Sequence, residues 1–185
     1  MKSVIPIFFI VISLSSGCKT EKPLSESAPI MSQTSENSPA VNFSEQSTWL
    51  LGYFSKDRLV NEPYASWYFK GYNEYQVNSE AVKNLTGISK DGLKIKIVLG
   101  TWCPDSRREV PRFIKILDLW QFPIAHVTFI GVDNAKLSPV GEYEKLDIQR
   151  VPTFILYKNN IEAGRIIENP KTSLEQDIVN ILKQE

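Results

Sequence analysis

The sequence predicts an α/β domain built on a central mixed sheet flanked by helices, set behind an N-terminal leader and a polar tether. Three observations predict it. Apolar runs rich in β-branched and aromatic residues stand at 94–99, 125–132, 151–157 and 164–167, each short enough to be a strand. Helical periodicity fills the gap between the first two runs and returns after the last. The order from residue 94 is then β, α, β, β, β, α, with one helical crossover that makes a parallel pair and a terminal hairpin at Asn159-Asn160 that makes an antiparallel one.

At the N-terminus, residues 1–17 carry a single charge, Lys2, and an apolar run from Val4 to Leu14. That run is too short for a hydrocarbon core, which needs roughly 20 helical residues, and it has the layout of a secretory signal peptide. It ends in Leu14-Ser15-Ser16-Gly17-Cys18, small residues leading into a cysteine. This stretch resembles the lipobox of bacterial lipoproteins, with Ser15 where a leucine usually stands. The resemblance implies cleavage before Cys18, acylation of its sulfur, and an extracytoplasmic, lipid-anchored location in the periplasm or at the cell surface. The alternative is an ordinary secreted chain whose Cys18 follows the apolar run. Residues 18–48 are rich in Ser, Glu, Pro, Thr and Asn, with apolar residues too sparse for a packed face, and predict a disordered tether. About thirty such residues span roughly 30 Å as a coil.

Residues 49–185 form the predicted domain. Asn61-Glu62-Pro63 offers a helix start with proline in the first turn, and Tyr64, Tyr68, Tyr72 and Tyr75 then recur at helical spacing. Such a stripe is more often core than ligand platform, so we assign it, with Trp67 and Phe69 beside it, to packing. Asn78 or Ser79 caps a second short helix bearing Ala81, Val82 and Leu85, and Asp91-Gly92 turns the chain into the first strand. Lys94 to Leu99 begins by alternating and ends continuously apolar, as a strand does on entering the centre of a sheet. A helix with Pro111 inside it carries Phe113, Ile114, Leu117 and Trp120, and the chain closes with a helix over 173–183.

Composition narrows the chemistry. The chain has 185 residues, with 21 Lys and Arg against 21 Asp and Glu, so no net field favours nucleic acid. Two cysteines, Cys18 and Cys103, and one histidine, His126, exclude a disulfide scaffold or a zinc ribbon built within this chain. We expect no metal and no cofactor. His126 is placed on the second strand, alternating with Thr128 and Ile130, and receives no role. Asp133, Glu142, Glu144 and Asp147 fall in lysine-containing loop sequence and read as solvated charge. Ser106 with His126 lacks the strained Gly-x-Ser-x-Gly turn of a hydrolase.

Gly100 to Pro111 holds the chemistry. Trp102-Cys103-Pro104-Asp105-Ser106 sits at a strand-to-helix junction, Pro111 follows Cys103 by eight residues, and Val151-Pro152-Thr153 follows it by 48 to 50. In combination these resemble the thioredoxin family, over the stretch from about Lys94 to the end. The resemblance implies a thioredoxin-like fold, a cis Pro152 packed beside Cys103, and a groove for extended peptides formed by Trp102, Pro104, Val151, Pro152 and Thr153. A cysteine at the first turn of a helix meets unpaired N–H groups and the positive dipole end, which favour thiolate. Arg107 and Arg108 would add to this and Asp105 oppose it.

Two departures limit the inference. Ser106 stands where the family has its second cysteine, and a hydroxyl cannot resolve a mixed disulfide. Ile97 stands where the family usually has a buried aspartate. The implied activity is that of a thiol–disulfide oxidoreductase lacking the resolving cysteine. Cys103 acts as a monothiol, Ser106 donates a hydrogen bond to its thiolate, and an outside thiol completes the turnover. Expected partners are protein thiols or disulfides, or a small-molecule thiol, with the membrane reached through the lipid. The alternative is a non-catalytic module that binds peptides or proteins in the same groove. A peroxidase-like thiol is disfavoured because Thr101 lies two rather than three residues before Cys103.

Overall fold

The apolar run ending at Leu99 becomes the middle strand of a five-stranded mixed sheet. The computed structural model describes residues 48–184; the leader 1–17, Cys18 and the rest of the tether before residue 48 lie outside them. The elements are β1 (Gly52–Phe54), α1 (Ala65–Glu74), α2 (Ser79–Thr86), β2 (Leu93–Leu99), α3 (Pro104–Leu119), β3 (Val127–Gly131), β4 (Thr153–Lys158), β5 (Ile161–Ile167) and α4 (Leu174–Leu182). The sheet order is β1-β3-β2-β4-β5. β2 and β3 are parallel, with Ile95 opposite Val127 and Leu99 opposite Gly131, while β4 runs antiparallel to both β2 and β5.

Strand alternation sorts the side chains into two cores. Ile95, Ile97 and Leu99 share a face with Phe129, Phe154, Leu156 and Ile166, and every helix packs into that cluster: Tyr68 from α1, Leu85 from α2, Phe113, Ile114 and Leu117 from α3, and Ile178 from α4. Phe113 and Phe154, both fully buried, stack with centroids 4.1 Å apart. Burying each ring contributes about 1.5–3 kcal/mol. The opposite face carries Val98 and Ile130 in a smaller cluster with Val132, Tyr143, Val151 and Cys103, and it draws no residue from the interior of the four α-helices, Tyr143 coming from a short 3₁₀ turn. The expected flanking helices therefore gather on one side, and the segment between β3 and β4 covers the other.

Several expectations change. β1 is an addition: a three-residue edge strand, antiparallel to β3, too short to show alternation. Helix α1 starts at Ala65, beyond a cis Glu62-Pro63 bond, so Pro63 is outside its first turn. The main-chain carbonyl of Asn61 accepts the Tyr64 and Ala65 N–H groups, while its side chain donates to Asp57 O at 2.7 Å. The tyrosine stripe packs inward, with Tyr64 and Tyr68 buried and Tyr72 and Tyr75 against the core. Asn78 caps α2, its Oδ1 accepting from Ala81 N at 3.1 Å. His126 is not on the strand. Ile124–His126 forms a single 3₁₀ turn after Pro123, and β3 begins at Val127. β5 begins at Ile161, three residues earlier than expected.

Candidate functional site

β2 ends against Gly100, where an added Cβ would lie 2.5 Å from the Trp102 ring, so only glycine lets the indole fold back over the strand end. Trp102 Nε1 donates to Val132 O at 3.0 Å, and Trp49 packs against it with centroids 6.1 Å apart. The chain then turns, with Cys103 N–H donating to Gly100 O at 2.9 Å.

Cys103 is the N-cap of α3, with extended backbone and Pro104 at the first helical position. Its carbonyl accepts the first helical bond, from Arg107 N at 3.0 Å. The amides of Asp105 and Ser106 lie ahead of that bond, where an N-cap acceptor normally sits. Cys103 is 7% exposed, and its Sγ donates to Val151 O at 3.3 Å. Val151-Pro152 is cis, and Pro152 O accepts Glu168 N–H at 2.8 Å. Thr153 is buried, its hydroxyl donating to Arg150 O at 2.7 Å, whereas Pro104 is exposed. The structure thus brings Trp102, Cys103 and Val151 together in one cluster, with Ser106 one helical turn beyond the cysteine. Among the described residues the Val151 N–H donates to no group.

Ser106 sits differently from expectation. Its hydroxyl, fully buried, accepts from Gly100 N at 3.3 Å, so its mapped hydrogen bond holds the loop rather than the thiol. The arginines are also engaged. Arg107 Nε donates to Thr101 O at 2.7 Å. Arg108 pairs with Asp105 at 2.7 Å and Glu109 at 2.6 Å and donates to Asn169. Ile97 is fully buried in the helical core.

Among the described residues four buried carboxylates escaped sequence reasoning, Glu109, Asp133, Glu175 and Asp177, the last accepting from Lys171 N, Thr172 N and Thr172 Oγ1. Glu109, 3% exposed, lies between Arg108 and Arg112, which approach Oε1 to 2.6 and 3.0 Å. The Glu109–Arg112 spacing is a legible signal, since i and i+3 side chains are neighbours on a helix, whereas the contact with adjacent Arg108 is visible only in the structure. Glu175, fully buried at the start of α4, accepts from Tyr75 Oη at 3.1 Å and Asn78 N at 3.3 Å. Burial, and then the Glu175 charge, push the Tyr75 phenol well above its usual value. Asp133, read as solvated, is 2% exposed and accepts from Leu137 N at 2.8 Å, closing the loop after β3. Glu142, Glu144 and Asp147 are exposed. His126 precedes β3, at the end of the sheet away from the Gly100–Cys103 loop. Among the described residues no three His, Cys, Asp or Glu side chains group as a metal site, and no helix is long and apolar enough to cross a membrane.

No family model and no curated protein matches this sequence. Among solved structures, the chain is similar to a Pseudomonas aeruginosa protein of unknown function, at 13% identity and a TM-score of 0.50, over 70% of this chain and 90% of that one. At that identity the likeness speaks for the mixed α/β architecture alone.

Proposed function

We propose that the protein is a membrane-tethered, thioredoxin-like domain that exchanges thiols and disulfides through Cys103 alone. The observation that carries this reading is the position of Sγ, at the N-cap of α3 and 3.3 Å from the carbonyl that precedes cis Pro152. Strand, cysteine, helix and a distant cis-proline loop meeting at one sheet end are the arrangement the family resemblance implies. The partnerless Val151 N–H suits an extended peptide laid beside the thiol.

The chemistry balances without a second protein cysteine. The Cys103 thiolate attacks one sulfur of a partner disulfide, forms a mixed disulfide and expels the other partner sulfur as thiolate, which takes up the proton. An outside thiol then attacks the partner's sulfur in the mixed disulfide, giving a new disulfide and returning Cys103 as thiolate. No cofactor and no net oxidant enters. The tether would hold this site near the membrane through a lipid on Cys18. Mass spectrometry of membrane-extracted protein should show a diacyl or triacyl Cys18, and a freely soluble chain with an unmodified terminus overturns that part.

The test of the activity is alkylation of Cys103 as a function of pH, with an insulin reduction assay on the Ser106→Cys variant beside it. Alkylation of Cys103 faster than that of a free model thiol at the same pH, and reductase activity gained by the variant, are the expected results. An unreactive thiol with no gain overturns the reading. The second reading, a binding module without turnover, is favoured by one observation, the burial of Cys103, 7% exposed with its Sγ turned to Val151 O, which covers the sulfur from an incoming disulfide. A Cys103→Ala variant that keeps all partner binding and cellular function would support it.

A further inference from the structure

The first described residues of the chain lie against the loop that carries Cys103. Leu50 N–H donates to Thr101 Oγ1 at 3.2 Å, and the same hydroxyl donates to Thr48 O at 3.4 Å, so Thr101 meets the strap as both acceptor and donor. Thr48 O also accepts from Tyr64 Oη at 2.9 Å, which ties the strap to the residue capping α1. Between these anchors Trp49 packs on Trp102. Leu50 is buried, and its carbonyl passes so close to Gly131 that an added Cβ there would lie 2.0 Å from the oxygen. Thr101 is 1% exposed, and its own carbonyl is held by Arg107. The residue two places before the cysteine is therefore fixed from the strap on one side and from α3 on the other.

We propose that Thr48–Leu50 is a positioning strap for Cys103, acting through Thr101, so that the reactivity of the thiol depends on the segment by which the chain joins the domain. The inference deepens the exchange reading and rests on it for its biological purpose. Its physical content is independent: the strap restricts the loop 100–103, and the loop sets how far Sγ is covered and how it faces the Val151 carbonyl. Thr101 and Tyr64 are positioning residues, since their hydroxyls bond the strap and the sulfur bonds Val151 O.

The test uses the full chain and reads the Cys103-containing peptide by mass spectrometry after timed iodoacetamide treatment from pH 5.5 to 9.5. Thr101→Val keeps the shape and removes the hydroxyl; its alkylation at pH 7 should rise between about two- and tenfold, the range set by one or two hydrogen bonds. The pH profile should move with it. Thr101→Ser, which restores the hydroxyl, should return both rate and profile towards the parent. Tyr64→Phe removes only the group that touches Thr48 and should shift the rate in the same direction by less. Parent rates and profiles in both Thr101→Val and Tyr64→Phe overturn the proposal, as does a rise that merely tracks global unfolding measured in urea. Parent protein that is alkylated but exchanges no peptide disulfide would remove the redox reading while leaving the strap's effect on the thiol measurable.

Discussion

Gly71 in α1 faces Pro111 in α3, and replacing it with alanine tests how tightly those two helices meet. A Cβ at Gly71 would lie 2.5 Å from Pro111 Cγ, 3.3 Å from Pro111 Cβ and 3.5 Å from Arg107 O. Carbon atoms rest at about 3.5–4.0 Å, so the closest contact is short by roughly 1 Å. Most side chains would relieve this by changing rotamer, but a proline ring inside a helix has none to change, and Pro111 is buried. The relief must come from moving α1 away from α3, which loosens the packing around Tyr68 and Tyr72. Two effects compete. Alanine in place of glycine within a helix stabilises by about 0.5–1 kcal/mol, whereas overpacking costs about 1–3 kcal/mol. The overpacking wins, and we expect a net loss of about 0.5–2 kcal/mol. For a domain of this size that lowers the melting temperature by roughly 2–8 °C. Circular dichroism melts and urea unfolding measure it, and a double-mutant cycle with Pro111→Ala isolates the contact, because the substitution should cost less once the ring is gone. A Gly71→Ala protein at least as stable as the parent, or an equal cost in both backgrounds, would refute the reasoning.

Two further outcomes follow from the geometry. Ser106→Ala leaves the Gly100 N–H buried without its acceptor, so it should cost about 1–3 kcal/mol in urea unfolding and, by loosening the loop that covers Sγ, should leave Cys103 alkylation at or above the parent rate; a large loss of thiol reactivity at parent stability would restore the direct serine-to-sulfur contact. Alkaline pH should unfold the domain through its tyrosines: burial, reinforced by the hydrogen bond to Asp118 and its charge, pushes Tyr72 up to about 12, and burial raises Tyr68 and Tyr75 further. These phenols hold their protons more tightly folded than unfolded, so their stabilisation is complete below pH about 10 and drains away as the pH rises from there through about 12. Ionisation of most of the seven tyrosines near pH 10, beyond what exposed Tyr53 supplies, while the circular dichroism stays native would contradict this.

The sequence made the central strands legible because Lys94 to Leu99 and Val151 to Tyr157 are apolar over the lengths strands use, and it made α2 legible because Asn78 is a strong cap. β1 was illegible because three residues cannot show a period and its pairing with β3 is a tertiary fact. His126 was misplaced because the apolar run continues through Ile124 and Ala125 into a turn that hydropathy does not separate from a strand. The site divides in the same way. Cys103 was found from local chemistry, since a helix N-terminus is visible in sequence, but the acceptor of its thiol lies 48 residues away. Ser106 was given the nearer partner when its hydroxyl had a backbone amide to satisfy. Asp133 looks like any loop acid until the loop closes around it.

The two faces of the sheet have different consequences for change. The large core, with all four helices, fixes the position of β2 and the start of α3. The cover over the cysteine side packs Val140, Tyr143, Leu146 and Ile148 on the smaller cluster and adds individual bonds: Ser138 Oγ to Gly131 O, Tyr143 Oη to Lys136 O, and Arg165 to Leu146 O. Substitutions at the apolar positions of that cover should therefore change the surroundings of the thiol while the contacts of the helical core stay in place. The foundation and the ceiling of the site are separately adjustable, so variants with new groove shapes can be sought there without first repairing the fold.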